Sequence, residues 1–138
     1  MSKNKNNKPI WNTRISKSST NLFKKVGGSL LVDKRLFNED IEATIVHVEM
    51  LLKQKLINFK IKNKIVWGLN RIRNEIIKKR FQFDEGLEDI HMNIENRLFQ
   101  LIGEDAGYIH TARSRNDQVI TDFKIWLKKA TKEIIKNL

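Results

Sequence analysis

The residues best equipped for chemistry lie between Gly107 and Asp122, in the stretch GYIHTARSRNDQVITD. Arg113 and Arg115 stand two apart, interleaved with the hydroxyls of Thr111 and Ser114 and the amide of Asn116. An apolar helical pattern begins straight afterwards at Val119. Donors gathered at the N-terminal mouth of a helix suit carboxylates, because the unpaired N–H groups and the helix dipole favour negative charge there. Arginine adds a planar fork matched to two oxygens. A basic turn with a capping Ser or Asn would use the same residues, and their chemistry alone leaves both readings open.

Other reactive side chains are sparser. His91 and Glu95 lie four apart on one helical face. They lack the third ligand that a catalytic zinc requires, so no metal is expected. His47 has no companion ligand at a plausible offset and reads as structural. Glu95 and Arg97 read as members of structural ion pairs. Ser29 follows Gly27–Gly28 and precedes Asp33 by four positions, which alone suggests a turn residue.

Positioning these groups falls to helices, and the expected class is all-α. Thr20 to Val26 suits a short helix stopped by Gly27–Gly28. Asn38 is placed to cap a helix from Glu39 to about Gln54, with Ile41, Ile45, Val48 and Leu52 as its buried stripe. A second helix from about Lys60 to Lys79 carries Ile65, Leu69, Ile72 and Ile76, and the pair forms a hairpin joined near Ile57–Phe59. Arg80 to Asp84 should be extended. A third helix runs from about Glu88 to Ile102, closed by Gly103. The last runs from about Asn116 onward with Val119, Phe123, Trp126, Ala130 and Ile134 on one face, widened by Ile120, Ile125, Leu127 and Ile135. So broad an apolar face calls for partners on more than one side.

Composition narrows the function classes. The formal net charge of +11 raises nucleic-acid binding. The lysines are spread along the chain, however, and the densest group (Lys53, Lys55, Lys60, Lys62, Lys64) has no aromatic alternation suited to base stacking. A solvated helix face is the expectation, with no nucleic-acid partner. The absence of cysteine removes disulfides and thiolate metal sites. No apolar run approaches the roughly 20 residues of a membrane span. The basic opening MSKNKNNKPI lacks a following hydrophobic region, so it is no secretory signal and a cytoplasmic location is expected.

HTARSRNDQV (His110 to Val119), EDIHMNIENRL (Glu88 to Leu98) and SLLVDKRLFNEDI (Ser29 to Ile41) together resemble the argininosuccinate lyase family of the fumarase/aspartase superfamily. The blocks stand in family order and spacing. Residues 1–8, rich in Asn and Lys, are expected to be disordered. The resemblance implies an N-terminal helical domain over 9–115 and, over 116–138, the start of the first long helix of a central bundle. It implies β-elimination of argininosuccinate to arginine and fumarate, without a cofactor, in a homotetramer whose sites draw on three subunits. Ser29, Ser114, Arg115 and Asn116 would bind substrate, supported by Asp33, Asp89, His91, Thr111 and Arg113.

Departures accompany the match. Trp11 and Arg14 fit the family's Trp-Gly-Gly-Arg-Phe segment, but Asn12, Thr13 and Ile15 replace the glycines and the phenylalanine. Val26–Gly27–Gly28 replaces Phe-Asn-Ala before Ser29. The family's acid and base regions, a Thr–His pair and a loop reading Gly-Ser-Ser-x-Met-Pro-x-Lys-x-Asn, do not occur. An N-terminal fragment without activity of its own is therefore expected. Lyases of the adenylosuccinate, fumarase or aspartase type would share fold and chemistry. The lens δ-crystallin branch shares the blocks, although the Lys/Asn/Ile composition points to a microbe. A basic helical interaction module is the alternative of a different class.

Overall fold

The computed structural model describes residues 27–138, and among these every regular element is helical. The expectations for the tail, for Trp11 and Arg14, and for a helix over Thr20 to Val26 lie outside the described residues. A short turn α1 (Leu30–Asp33) and a 3₁₀ turn (Lys34–Leu36) lead into α2 (Phe37–Lys53). Then follow α3 (Phe59–Ile77), α4 (Ile90–Ile102), a 3₁₀ run (Gly103–His110) and α5 (Arg115–Lys136).

Local chemistry accounts for most boundaries. Asn58 caps α3, its side chain accepting from the Ile61 amide at 2.9 Å. Asp89 caps α4 by accepting from the Met92 amide at 2.6 Å. Gly103 ends α4 at φ 71°, in backbone space that a Cβ would strain. The cap expected at Asn38 is not there. Helical turns from Leu30 run straight into α2, which begins at Phe37 without a side-chain cap, so no free first turn remains for Asn38 to close.

The core lies between α2, α3 and α4. Ile41, Val48 and Leu51 of α2 meet Ile65, Leu69 and Ile72 of α3 and Ile90, Ile94, Leu98 and Ile102 of α4. In α2 the buried stripe is rotated from the expected one: Thr44 and Leu51 are buried, while Ile45 and Leu52 are only partly so. Gly68 lets α3 and α4 approach closely, since a Cβ there would stand 2.5 Å from Leu98 Cδ1 and 3.3 Å from Ile102 Cγ2. Residues 80–84 form a strap without regular secondary structure, its start tied back by the Arg80 and Phe81 amides donating to the Glu75 carbonyl. Asn93 pins it, accepting from the Asp84 amide at 2.8 Å.

The broad apolar face of α5, which calls for partners on more than one side, is left largely open. Val119, Phe123 and Ile134 are 41%, 44% and 63% exposed, whereas Gln118 and Asp122 are 2% and 0% exposed. The helix docks on α2 by its polar side, extended by Lys129, whose Nζ donates to Glu39 at 2.9 Å and Glu42 at 2.8 Å. Among the described residues no helix is long and apolar enough to cross a membrane. Within the lysine-rich stretch, Lys62 pairs with Glu49 at 3.9 Å and Lys64 with Asp105 at 2.6 Å.

Candidate functional site

The turn before α5 is built by reciprocal capping. Ser114 Oγ accepts from the Asp117 amide at 3.2 Å, and Asp117 Oδ2 accepts from the Ser114 amide at 3.0 Å. The Ser114 amide, and then the Ser114 hydroxyl at 2.8 Å from Oδ2, stabilise the charged carboxylate and hold the Asp117 carboxyl below its ordinary range. Ala112 sits at φ 55°, turning the chain sharply before the cap. His47 Nε2 donates to the Thr111 carbonyl at 3.0 Å, which ties the turn to α2. Burial, followed by the charge of Arg113, pushes the His47 imidazole below its usual value, so the ring is neutral when it makes this contact. The structural reading of His47 holds.

The two arginines of the motif point to different places. Arg115 reaches back to α4. Its Nη1 lies 2.8 Å from Glu95 Oε1, and its Nη2 donates to Glu95 Oε2 at 3.0 Å. Nη1 also donates to Gln118 Oε1 at 2.6 Å, and Nε lies 3.6 Å from Asp89 Oδ2. The fork offered for a substrate carboxylate therefore grips a carboxylate of the chain itself. Arg115 cannot be separated from folding in the way its place at a helix mouth suggests. His110 Nε2 shares the same acceptor, at 3.0 Å from Glu95 Oε2. Arg113 turns inward instead, donating from Nη1 to Thr44 Oγ1 at 3.2 Å. Its Nε and Nη2 are buried with no hydrogen-bond partner among the described residues, and burial pulls its pKa down.

Three sequence blocks meet at this corner. The Ser29 amide donates to the Glu88 carbonyl at 2.9 Å, and the Ser29 hydroxyl donates to Asp33 Oδ2. Asp33 Oδ1 accepts from the Ile90 amide at 3.2 Å, at the start of α4. Ser29, Asp33, Asp89 and Arg115 thus form one connected neighbourhood. Asn116 and Ser114 are exposed at its edge on the first turn of α5.

His91 is not at the edge of this neighbourhood but beneath it, 1% exposed. Its Nδ1 sits between two carboxylates, 3.2 Å from Asp40 Oδ1 and 3.4 Å from Asp122 Oδ2. Gln118 Nε2 donates to Asp40 Oδ1 at 2.5 Å. Burial works against the imidazolium, yet the contact with Asp40 and the charges of Asp40, Asp89 and Asp122 outweigh it, so His91 titrates above its ordinary value. Burial likewise opposes the Asp40 carboxylate, but His91, Gln118 and Arg113 together hold Asp40 below its ordinary range. Asp122 goes the other way: burial first, then the charge of Asp40, push it up to about 8.

The ligand atoms of Asp40, His91 and Asp122 lie within 4.8 Å of one another, a constellation other than the His91/Glu95 pair considered from sequence. A divalent ion would sit beside the half-buried Arg113 guanidinium and compete with the Gln118 amide for Asp40. A proton suits this donor set better. Asp40, Gln118 and Asp122 escaped notice in the sequence. The available signal was the polar pair Gln118–Asp122, four apart and so on one side of α5.

A cavity of about 1190 Å³ lies elsewhere, in an open groove between α3, the strap and α4 lined by Trp67, Arg71, Phe83, Asn96 and Arg97. None of the turn residues lines it.

A sequence family described as Lyase matches residues 13–138. The chain belongs to this lyase family. Among curated relatives, the argininosuccinate lyase of Pelagibacter ubique is 65% identical over the whole chain, which covers 30% of that protein. The argininosuccinate lyase of Ehrlichia canis is 46% identical over 91% of the chain and 27% of its own length. That of Campylobacter jejuni subsp. doylei is 48% identical over 94% of the chain and 28% of its own length. This lyase chain thus spans less than a third of the length of the relatives it matches.

Proposed function

We propose that the chain supplies part of the substrate site of an argininosuccinate lyase, which eliminates fumarate from argininosuccinate and releases arginine. The observation that carries this reading is the convergence of the three blocks: Ser29 on Glu88 at 2.9 Å, Asp33 on Ile90 at 3.2 Å, and Arg115 beside Asp89 at 3.6 Å. In the elimination a base removes the proton next to a carboxylate, and negative charge develops on that carboxylate as the guanidinium nitrogen departs. Donors held ready around it lower the barrier.

Ser114 and Asn116 would present such donors at the mouth of α5, with Ser29 approaching from the α1 side. Arg115 would supply positive charge while its fork stays on Glu95, and Asp33, Asp89, Thr111 and Arg113 would hold the surroundings. The reading divides the chain at about residue 115 into a helical domain and the start of a bundle helix. The exposed Val119, Phe123 and Ile134 support further helices packing on α5, in a cytoplasmic homotetramer.

A chimera tests this: residues 1–138 joined to the remainder of the Pelagibacter ubique lyase. Asn116→Ala should lower kcat/KM about ten- to a hundredfold, the value of a charge-assisted hydrogen bond of roughly 1.5–3 kcal/mol. Its melting temperature should not move, because Asn116 is exposed. Full activity in this variant would remove the turn from the substrate site.

A further inference from the structure

We infer that Asp40, His91 and Asp122 are positioning residues: a buried polar lock that docks α5 on the domain and thereby sets the Ser114–Asn116 turn. The inference rests on the substrate role proposed for that turn. Its geometry is independent of that role.

Each member comes from a different helix, Asp40 from α2, His91 from α4 and Asp122 from α5, and all are at most 1% exposed. Val119, Ile120, Phe123 and Leu127 of α5 are exposed and its fully buried residues are Gln118 and Asp122, so this cluster and the Lys129 pairs are the polar contacts of the seam. The lock also reaches the turn through one side chain. Gln118 donates to Asp40 at 2.5 Å and accepts from Arg115 at 2.6 Å, linking Asp122, His91, Asp40, Gln118 and Arg115 in series.

Charge counting shows why the cluster must hold a proton. Asp40 has the imidazolium and the Gln118 amide as partners. Both Asp122 oxygens are buried with no hydrogen-bond partner among the described residues. A second bare carboxylate there would face Asp40 with only the shared His91 Nδ1, 3.4 Å away, beside it, a costly state for a buried charge. The set therefore favours the carboxylate on Asp40 and the acid on Asp122, with the His91 ring shifted toward its protonated form. The other charged groups facing it are Asp89 and Glu95 from α4, and Arg113 and Arg115 from the turn. Neither arginine replaces the missing donor, since Arg113 bonds Thr44 and Arg115 bonds Glu95.

The pH dependence follows with a definite sign. Asp122 binds its proton up to about 8 in the folded chain, against 3.8 for an unperturbed carboxyl, so docking weakens as pH rises through that interval. The raised His91 adds stability that is full below its ordinary value and lost as pH passes its folded one. The lowered Asp40 contributes stability that disappears only when pH falls through its depressed value. The lock is thus weakest on the alkaline side.

The experiment measures amide-exchange protection of α5 in the 138-residue chain against pH, alongside kcat/KM profiles of the chimera. Protection around Gln118 to Trp126 should fall by up to about tenfold per pH unit approaching pH 8, as expected for loss of one proton. Asp122→Asn, which keeps the shape and a neutral donor, should flatten that fall and the alkaline limb of kcat/KM together. An alkaline fall that persists unchanged in Asp122→Asn overturns the lock. So does a divalent ion retained at one per chain by mass spectrometry and lost in the variant. If exchange responds as expected and Asn116→Ala destroys activity, but Asp122→Asn leaves the kinetic profile untouched, the positioning role is refuted. If Asn116→Ala is also silent, the substrate reading of the turn fails and the positioning role falls with it, while the proton-holding cluster stands on the exchange data.

Discussion

Arg115→Lys separates what Arg115 does for the fold from what it does for chemistry. The guanidinium makes one hydrogen bond to Glu95 at 3.0 Å, an ion-pair contact to its other oxygen at 2.8 Å, and one hydrogen bond to Gln118 at 2.6 Å. A lysine ammonium is a point donor on a flexible stem and can keep only one carboxylate contact. Loss of a charge-assisted bond costs roughly 1.5–3 kcal/mol when buried. The Arg115 side chain is 26% exposed, so solvent takes up part of this, and a total of about 2 kcal/mol is reasonable. For a domain near 100 residues, 1 kcal/mol moves Tm by about 4–8 °C, so the variant should melt about 8–16 °C lower.

Thermal unfolding followed by far-UV circular dichroism, on the 138-residue chain, measures this directly. Glu95→Gln should produce a drop of similar direction, and the double variant should lose less than the sum of the two singles. An unchanged Tm in Arg115→Lys, or strict additivity in the cycle, would show that the Glu95 pairing contributes nothing, and the clamp assignment would be wrong. Arg97→Lys is no neutral control. Arg97 grips Glu75 through Nε and Nη2, both at 2.9 Å, and should cost a few tenths to about 1 kcal/mol.

Three further outcomes follow from the same contacts. The isolated 138-residue chain should release no fumarate from argininosuccinate in a coupled assay, because general acid and base groups each contribute roughly 10²–10⁴ and their family patterns are not in this sequence. Phe123→Lys, at a 44% exposed position on the apolar face of α5, should reduce self-association in light scattering without lowering Tm; equal association in both forms would show that this face is not the contact surface. Gly68→Ala should destabilise by about 1–3 kcal/mol in urea titration, since Leu98 is fully buried and has little room to retreat from a Cβ at 2.5 Å; a gain in stability would mean that helix propensity outweighs packing there.

Periodicity is local, and on where the helices lie the sequence alone was a sound guide, although the cap expected at Asn38 is absent. The stripe Ile65–Leu69–Ile72 and the stop at Gly103 were legible because each depends on neighbours a few positions away. α5 was legible as a helix for the same reason. Its orientation was not. An apolar stripe normally seeks the core, but the side chains that decide which face docks are Gln118 and Asp40, 78 positions apart.

Tertiary structure also decided what each arginine does. Arg113 and Arg115 look equivalent in sequence, yet backbone turning at Ala112 sends one toward Thr44 and the other toward Glu95. Asp122 reads as an ordinary surface carboxylate at the edge of an amphipathic helix. It becomes a proton-holding group only because folding removes its water and sets Asp40 beside it, and an electrostatic field summed over three helices cannot be read from any one of them.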